Sequence, residues 1–67
     1  MKVSVRNKIP GTIKEIKKGE VVAEIIVKSG DIEVISVITK DAAEELGLKV
    51  GDKVTALIKS TSVMIQK

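Results

Sequence analysis

No cysteine, no histidine and no Phe, Tyr or Trp occur in the 67 residues of this chain, and proline appears once. Each absence removes a class of chemistry. Without cysteine there is no disulfide and no thiolate, and without histidine the commonest general base is missing along with the usual partners of a zinc ligand set. Without aromatic rings there is no platform for stacked bases, the usual source of affinity in barrels that bind single-stranded nucleic acid. Long apolar runs are also missing, so no stretch is expected to span a bilayer. Nor does the N-terminus have the basic, then apolar, then small-residue order of a secretory leader, which makes the cytoplasm the expected location. No isolated serine or lysine has an evident activating neighbour, so an enzyme is the least expected reading.

What the chain does have is Val, Ile, Leu, Ala and Met at 43% of residues, a β-branched bias that favours strands. Its length allows one domain, spanning residues 1–67, with little core. Small domains reinforce themselves with disulfides, metals or self-association, and only the last suits this composition, so a homo-oligomer is expected. Twelve Lys and Arg against nine Asp and Glu give a net charge of +3. Residues 1–20 hold six basic and two acidic residues, and residues 41–52 hold four acidic and one basic. The anion-friendly end is therefore the N-terminal one. The excess is too diffuse for a nucleic-acid tail.

The pattern predicts a first strand over residues 3–6, a bend at residues 7–11 around Pro10-Gly11, and strands over 12–18, 21–28, 32–39, 53–59 and 63–66. Residues 32–39 carry apolar side chains on both parities, Val34 and Ile38 on one face and Ile35 and Val37 on the other, as in a strand covered on both sides. One short helix is expected at residues 41–47, with Asp41 and Glu44 in capping-box spacing and Gly47 as a left-handed stop. Asp41, Glu44 and Glu45 then complement the helix dipole rather than hold a metal. Lys14, Lys17 and Lys18 read as a solvated face, and Met64 reads as core filler. Several short strands with one small helix suggest a compact, all-β barrel of the oligonucleotide/oligosaccharide-binding type.

Two short polar signatures stand at the ends of the chain, Ser4-Val5-Arg6-Asn7 and Lys59-Ser60-Thr61. Each combines a cation with hydroxyl or amide donors. Together with Gly11-Thr12-Ile13, the 35–39 strand Ile-Ser-Val-Ile-Thr, Glu44-Glu45-Leu46-Gly47-Leu48, Val50-Gly51 and the 55–63 segment, they form an ordered series over essentially the whole chain. In that series the chain resembles the molybdate-binding Mop proteins, or molbindins, whose module also appears in molybdate-responsive regulators and some import ATPases. Val5 departs from the Ala of many members, which implies a packing change only.

The resemblance implies a five-stranded Greek-key barrel of this type whose subunits exchange a strand, assemble into a homohexamer and hold molybdate or tungstate at subunit interfaces, with no other cofactor and no nucleic acid or membrane partner. It places anion contacts at Ser4, Arg6, Asn7, Ser36, Thr39, Lys59 and Ser60, and a second site class at Lys18, Gly19, Glu20, Val21 and Val22. The chemistry suits the ligand: a tetrahedral dianion without protons at neutral pH needs donors and compensating positive charge, and an acceptor group would favour a protonated anion such as hydrogen phosphate. No Asp or Glu lies within the signatures. Lys59 is expected to supply the main side-chain charge, with Arg6 and Ser60 contributing main-chain amides.

Taken alone, these residues also have structural readings. Ser4, Arg6 and Asn7 fit solvated edge polarity, and Asn7 a bend before Pro10. The Ser36 hydroxyl needs a partner, which a local carbonyl could equally supply. Ser36 and Thr39 have opposite parity and share a point only if the chain leaves the sheet at Ile38, just before the helix. The alternative functions are a small barrel that docks on a transporter ATPase or a transcription factor, or a nucleic-acid-binding barrel.

Overall fold

A computed structural model describes residues 5–67; Ser4 and the first half of the strand expected at residues 3–6 lie outside them. Four strands, β1 (Asn7–Lys18), β2 (Val22–Ser29), β3 (Ile32–Thr39) and β4 (Lys53–Ile58), form one antiparallel sheet in the order β3-β2-β1-β4. A six-residue helix, α1 (Lys40–Glu45), follows β3. The sheet curls into a half-barrel whose two edges, β3 and β4, are not hydrogen-bonded to each other.

The bend expected at residues 7–11 is absent, and β1 runs straight through Pro10-Gly11. Its two neighbours divide it: β4 pairs with residues 7–12 and β2 with residues 12–18. Pro10 therefore sits where one flank of the strand has no partner, the position in a sheet that tolerates a residue without an N–H. Gly11 is there for space rather than for a turn. A Cβ on it would lie 2.6 Å from the Lys28 carbonyl oxygen and 2.7 Å from Val27 Cγ1.

The register with β2 shifts between Ile13 and Glu15. In a regular strand Ile13 and Ile16 would face opposite ways, and the extra residue of a bulge restores both to one face. Ile13 then lies opposite Val27 and Ile16 opposite Ile25. Ile13, Ala23, Ile25, Val27 and Ala43 of the helix are the buried core, with Ile16, Val34, Ile38, Leu48 and Val54 packed against it. β2 alternates with period two, Ala23, Ile25 and Val27 inward and Glu24, Ile26 and Lys28 outward, as its sequence requires.

Gly30-Asp31 joins β2 to β3 as a two-residue turn with Gly30 at φ +61°, the positive φ that a type II′ hairpin demands at its first central position. Thr39, not Asp41, caps the helix: its Oγ1 accepts the Ala42 N–H at 3.0 Å, and Asp41 falls in the first turn. A residue still in extended conformation can reach back to the third N–H ahead of it, which Asp41, already helical, cannot. Gly47, at φ +62°, ends the helix as expected, its N–H donating to the Glu44 carbonyl.

β4 stops at Ile58, one residue earlier than expected, and Ser60–Ser62 form a single 3-10 turn. No strand forms at residues 63–66, so the described residues hold four strands rather than five. Met64 and Ile65 are 92% and 90% exposed, so Met64 does not fill this core. A strand needs an edge to pair with, and the turn at Ser60–Ser62 carries the tail away from the sheet.

Candidate functional site

Antiparallel pairing of β1 with β4 sets Asn7 opposite Ile58. That one register brings the N-terminal signature, through Arg6 and Asn7, beside Lys59 and Ser60. The Asn7 Nδ2 donates to the Ile58 carbonyl at 3.1 Å. Arg6, Lys59 and Ser60 are exposed, and Asn7 is half-buried. No carboxylate of the described residues lies within ion-pair distance of Arg6 or Lys59; the ion pairs are Lys14–Glu33, Lys17–Glu15 and Lys17–Glu24, on the outer face of β1, β2 and β3. The expected solvated basic face is thus laced with acids, and the signature corner is not.

Between the open edges lies a cleft of ≈ 540 Å³, lined by the inward side chains of β3 and β4, including Ser36 and Ile58, over a floor of Ile13, Ile25 and Val27. Among its lining residues only Ser36 and Thr55 have polar side chains. Ser36 thus faces the same hollow that opens beside the Asn7–Ile58 rung. Thr39 is different: β3 extends through it, its hydroxyl oxygen holds the Ala42 N–H, and it does not line the cleft. The chain leaves the sheet one residue later than the shared-point reading of Ser36 and Thr39 requires.

Gly19, Glu20 and Val21 form the β1–β2 connection between Lys18, the end of β1, and Val22, the start of β2, and all five are exposed. The Gly19 N–H donates to the Val22 carbonyl, and the Val21 carbonyl accepts the Lys40 N–H at the start of α1, so this connection is tied to the helix. Among the described residues no group of three or more Asp or Glu is disposed to hold a metal ion, and no helix is long and apolar enough to cross a membrane. Sequence reasoning missed the carbonyl of Ile58, which is a partner only because of strand register. It also missed an open hollow of ≈ 510 Å³ where Thr12 faces Lys53 across β1 and β4.

Fold and corner together define a small β half-barrel with a donor-rich, carboxylate-free junction between its two ends. Comparison with known proteins agrees. The TOBE domain family model matches residues 3–65, and the chain belongs to that family. It is 46% identical over 66 residues to molybdenum-pterin-binding protein 3 of Clostridium pasteurianum, covering 97% of each chain. It superposes on a molybdate-binding protein from Sporomusa ovata with a TM-score of 0.95 and 46% identity over all of both chains. It also superposes on the cytoplasmic molybdate-binding protein ModG, solved with molybdate bound, with a TM-score of 0.89 and 40% identity, covering 96% of this chain and 46% of that one.

Proposed function

We propose that this chain is a cytoplasmic, non-catalytic molybdate- and tungstate-binding protein that stores or buffers the oxyanion. The observation that carries the reading is the Asn7–Ile58 register, which joins Arg6 and Asn7 to Lys59 and Ser60 from opposite ends of the sequence in one corner, with no carboxylate of the described residues in ion-pair range of its cations. An anion without protons selects for such a corner, because donors and a cation stabilise it and an acceptor would repel it. The full-length similarity to proteins named for molybdate or molybdenum-pterin binding supports the ligand class. A chain without aromatic rings has no surface on which to stack a pterin, so the oxyanion itself is the ligand favoured here. Lys59 supplies the side-chain charge, Ser60 and Arg6 supply main-chain donors, and Ser4, Ser36 and Thr39 are the remaining candidate contacts. Residues 18–22, at the β1–β2 connection, are the candidate for a second class of site.

The working form is a homo-oligomer, a hexamer by family resemblance, in which a partner's strand closes the barrel. The surface supports self-association. A compact monomer of this mass would expose about 4,100 Å², whereas the chain exposes 5640 Å². The difference, roughly 1,500 Å² on one chain, is about twice the ~800 Å² that each partner buries in a standard protein interface. Ile35, Val37 and Leu57 on the open edges and Met64 and Ile65 on the tail are among the apolar residues left uncovered.

Isothermal titration calorimetry with molybdate, tungstate, sulfate and phosphate, together with the mass in solution, tests both parts. Molybdate and tungstate are expected to bind an oligomer, with little response to the other two anions. Lys59→Met should weaken molybdate binding about tenfold, the scale of one charge-assisted hydrogen bond. A monomer that binds no oxyanion would leave a docking module as the surviving reading.

A further inference from the structure

The β1–β4 ladder has its last rung at Asn7 and Ile58, and β4 leaves the sheet there. Lys59 remains extended, at φ −64° and ψ 142°, and the chain then coils into the Ser60–Ser62 turn, closed by the Ser62 N–H on the Lys59 carbonyl at 2.9 Å. The end of an edge strand frays when its last carbonyl has no partner. Here the Ile58 carbonyl has a second partner beyond the main-chain rung, the Asn7 side-chain amide at 3.1 Å. Among the described residues this is the only side-chain-to-backbone hydrogen bond between two strands; the others are local, at the helix cap and within the loop from Lys49 to Asp52.

A peptide unit is planar, so the Ile58 carbonyl and the Lys59 N–H point in opposite directions from one rigid plate. Whatever fixes the carbonyl also fixes that N–H and the point from which the Lys59 side chain departs. We propose that Asn7 is a positioning residue rather than an anion ligand: its amide clamps the Ile58–Lys59 peptide and so aims the Lys59 N–H and ammonium at the oxyanion. This rests on reading Lys59 and Ser60 as the oxyanion site. It also gives the adjacency of Arg6 and Asn7 a division of labour, a donor facing out and a clamp facing the neighbouring strand.

The test compares Asn7→Ala, Asn7→Asp and Lys59→Ala in the full chain. Molybdate affinity is measured by calorimetry, and the backbone amides of residues 58–62 are followed by NMR hydrogen exchange without anion. Asn7→Ala should weaken molybdate about tenfold, the scale of one hydrogen bond, and should speed exchange at Ile58, on the last rung, and at Ser62, whose N–H is held by the Lys59 carbonyl, while Ile13 and Ile25 stay protected. Lys59→Ala should weaken binding with exchange unchanged. Asn7→Asp keeps the shape but replaces the donor with an acceptor, so its Lys59 and Ser60 amide resonances should move back toward wild-type positions in acid, when the introduced carboxyl regains a proton to donate. Lost affinity with unaltered exchange in both Asn7 variants would make Asn7 a direct ligand and overturn the proposal. So would wild-type affinity with wild-type exchange. Failure of the wild-type chain to bind molybdate removes the site reading, and with it the purpose of the clamp. The exchange comparison still decides whether the clamp exists.

Discussion

The middle of the sheet and its two edges are built from the same β-branched residues and end in opposite conditions. Ile13, Ala23, Ile25 and Val27, on adjacent strands under Ala43 of the helix, are each at most 3% exposed. Ile35 and Val37, one strand further out, are 62% and 64% exposed. Composition therefore does not decide which apolar residue is sealed; the face of the sheet it occupies and the cover the chain itself supplies there do. β1 and β2 have neighbours on both sides for part of their length, and β3 and β4 have one each. A domain this small closes its centre and leaves its edges for other surfaces. The donor-rich corner belongs to the second region, at the end of an edge strand, where main-chain groups not used by the sheet are available to a ligand.

The sharpest test of the sealed centre is Gly11→Val. Two of the contacts that a Cβ would make are under 3.0 Å, one of them with the backbone of β2. No rotamer change relieves a backbone clash, so the loss should be at the upper end of overpacking costs, about 3 kcal/mol or more, visible as failure to fold at 37 °C by circular dichroism. Ile13→Ala should follow, at about 3 kcal/mol from lost burial and an unfilled cavity. That loss should be the same at every protein concentration. Ile35→Glu on the edge should behave differently: it disturbs little within the chain, but it should lower the mass in solution and remove the dependence of the melting temperature on protein concentration that the wild-type oligomer shows. A concentration-independent loss for Ile35→Glu as large as that of Ile13→Ala would erase the distinction between centre and edge.

Much of this division is legible in the sequence, and the parts that are not share a cause. Strands β2 and β3 follow from alternation bounded by Gly30-Asp31, and the helix stop follows from Gly47. The two-sided apolar pattern of residues 32–39 pointed to a strand covered on both faces, and its outer face is the part that a single chain leaves bare. Pro10-Gly11 misled, because turn chemistry and edge-strand chemistry use the same residue types; only the handover of β1 from β4 to β2 separates them. The cap moved from Asp41 to Thr39 because a hydroxyl at the strand end reaches the helix first. The expected strand at residues 63–66 has apolar residues but no pairing partner among the described residues. At the site, donor types were readable from composition, but the contact of Asn7 with Ile58 joins residues 51 apart in sequence. Register of that range has no local signal.

The smallest expected effect lies on the outer face, where Lys14 of β1 reaches over β2 to Glu33 of β3. The hydrogen bond from Lys14, and then its charge, hold the Glu33 carboxyl below the ordinary carboxylate range, and the same bond and charge raise Lys14. A depressed carboxylate contributes stability above its unfolded value and loses it as pH falls through the folded one. A raised lysine contributes below its unfolded value and loses it as pH rises through the folded one. The pair therefore acts across the neutral range and disappears toward both extremes. Both side chains are about half exposed, so water and salt screen them and the contribution is slight. Glu33→Gln should lower the melting temperature only a little at neutral pH and low salt, and the difference should vanish in acid and in 1 M salt. The deficit of Ile13→Ala should persist under both conditions, because buried area has no charge to screen. If Glu33→Gln matched Ile13→Ala, or kept its deficit in high salt, the outer face would hold the fold as firmly as the centre.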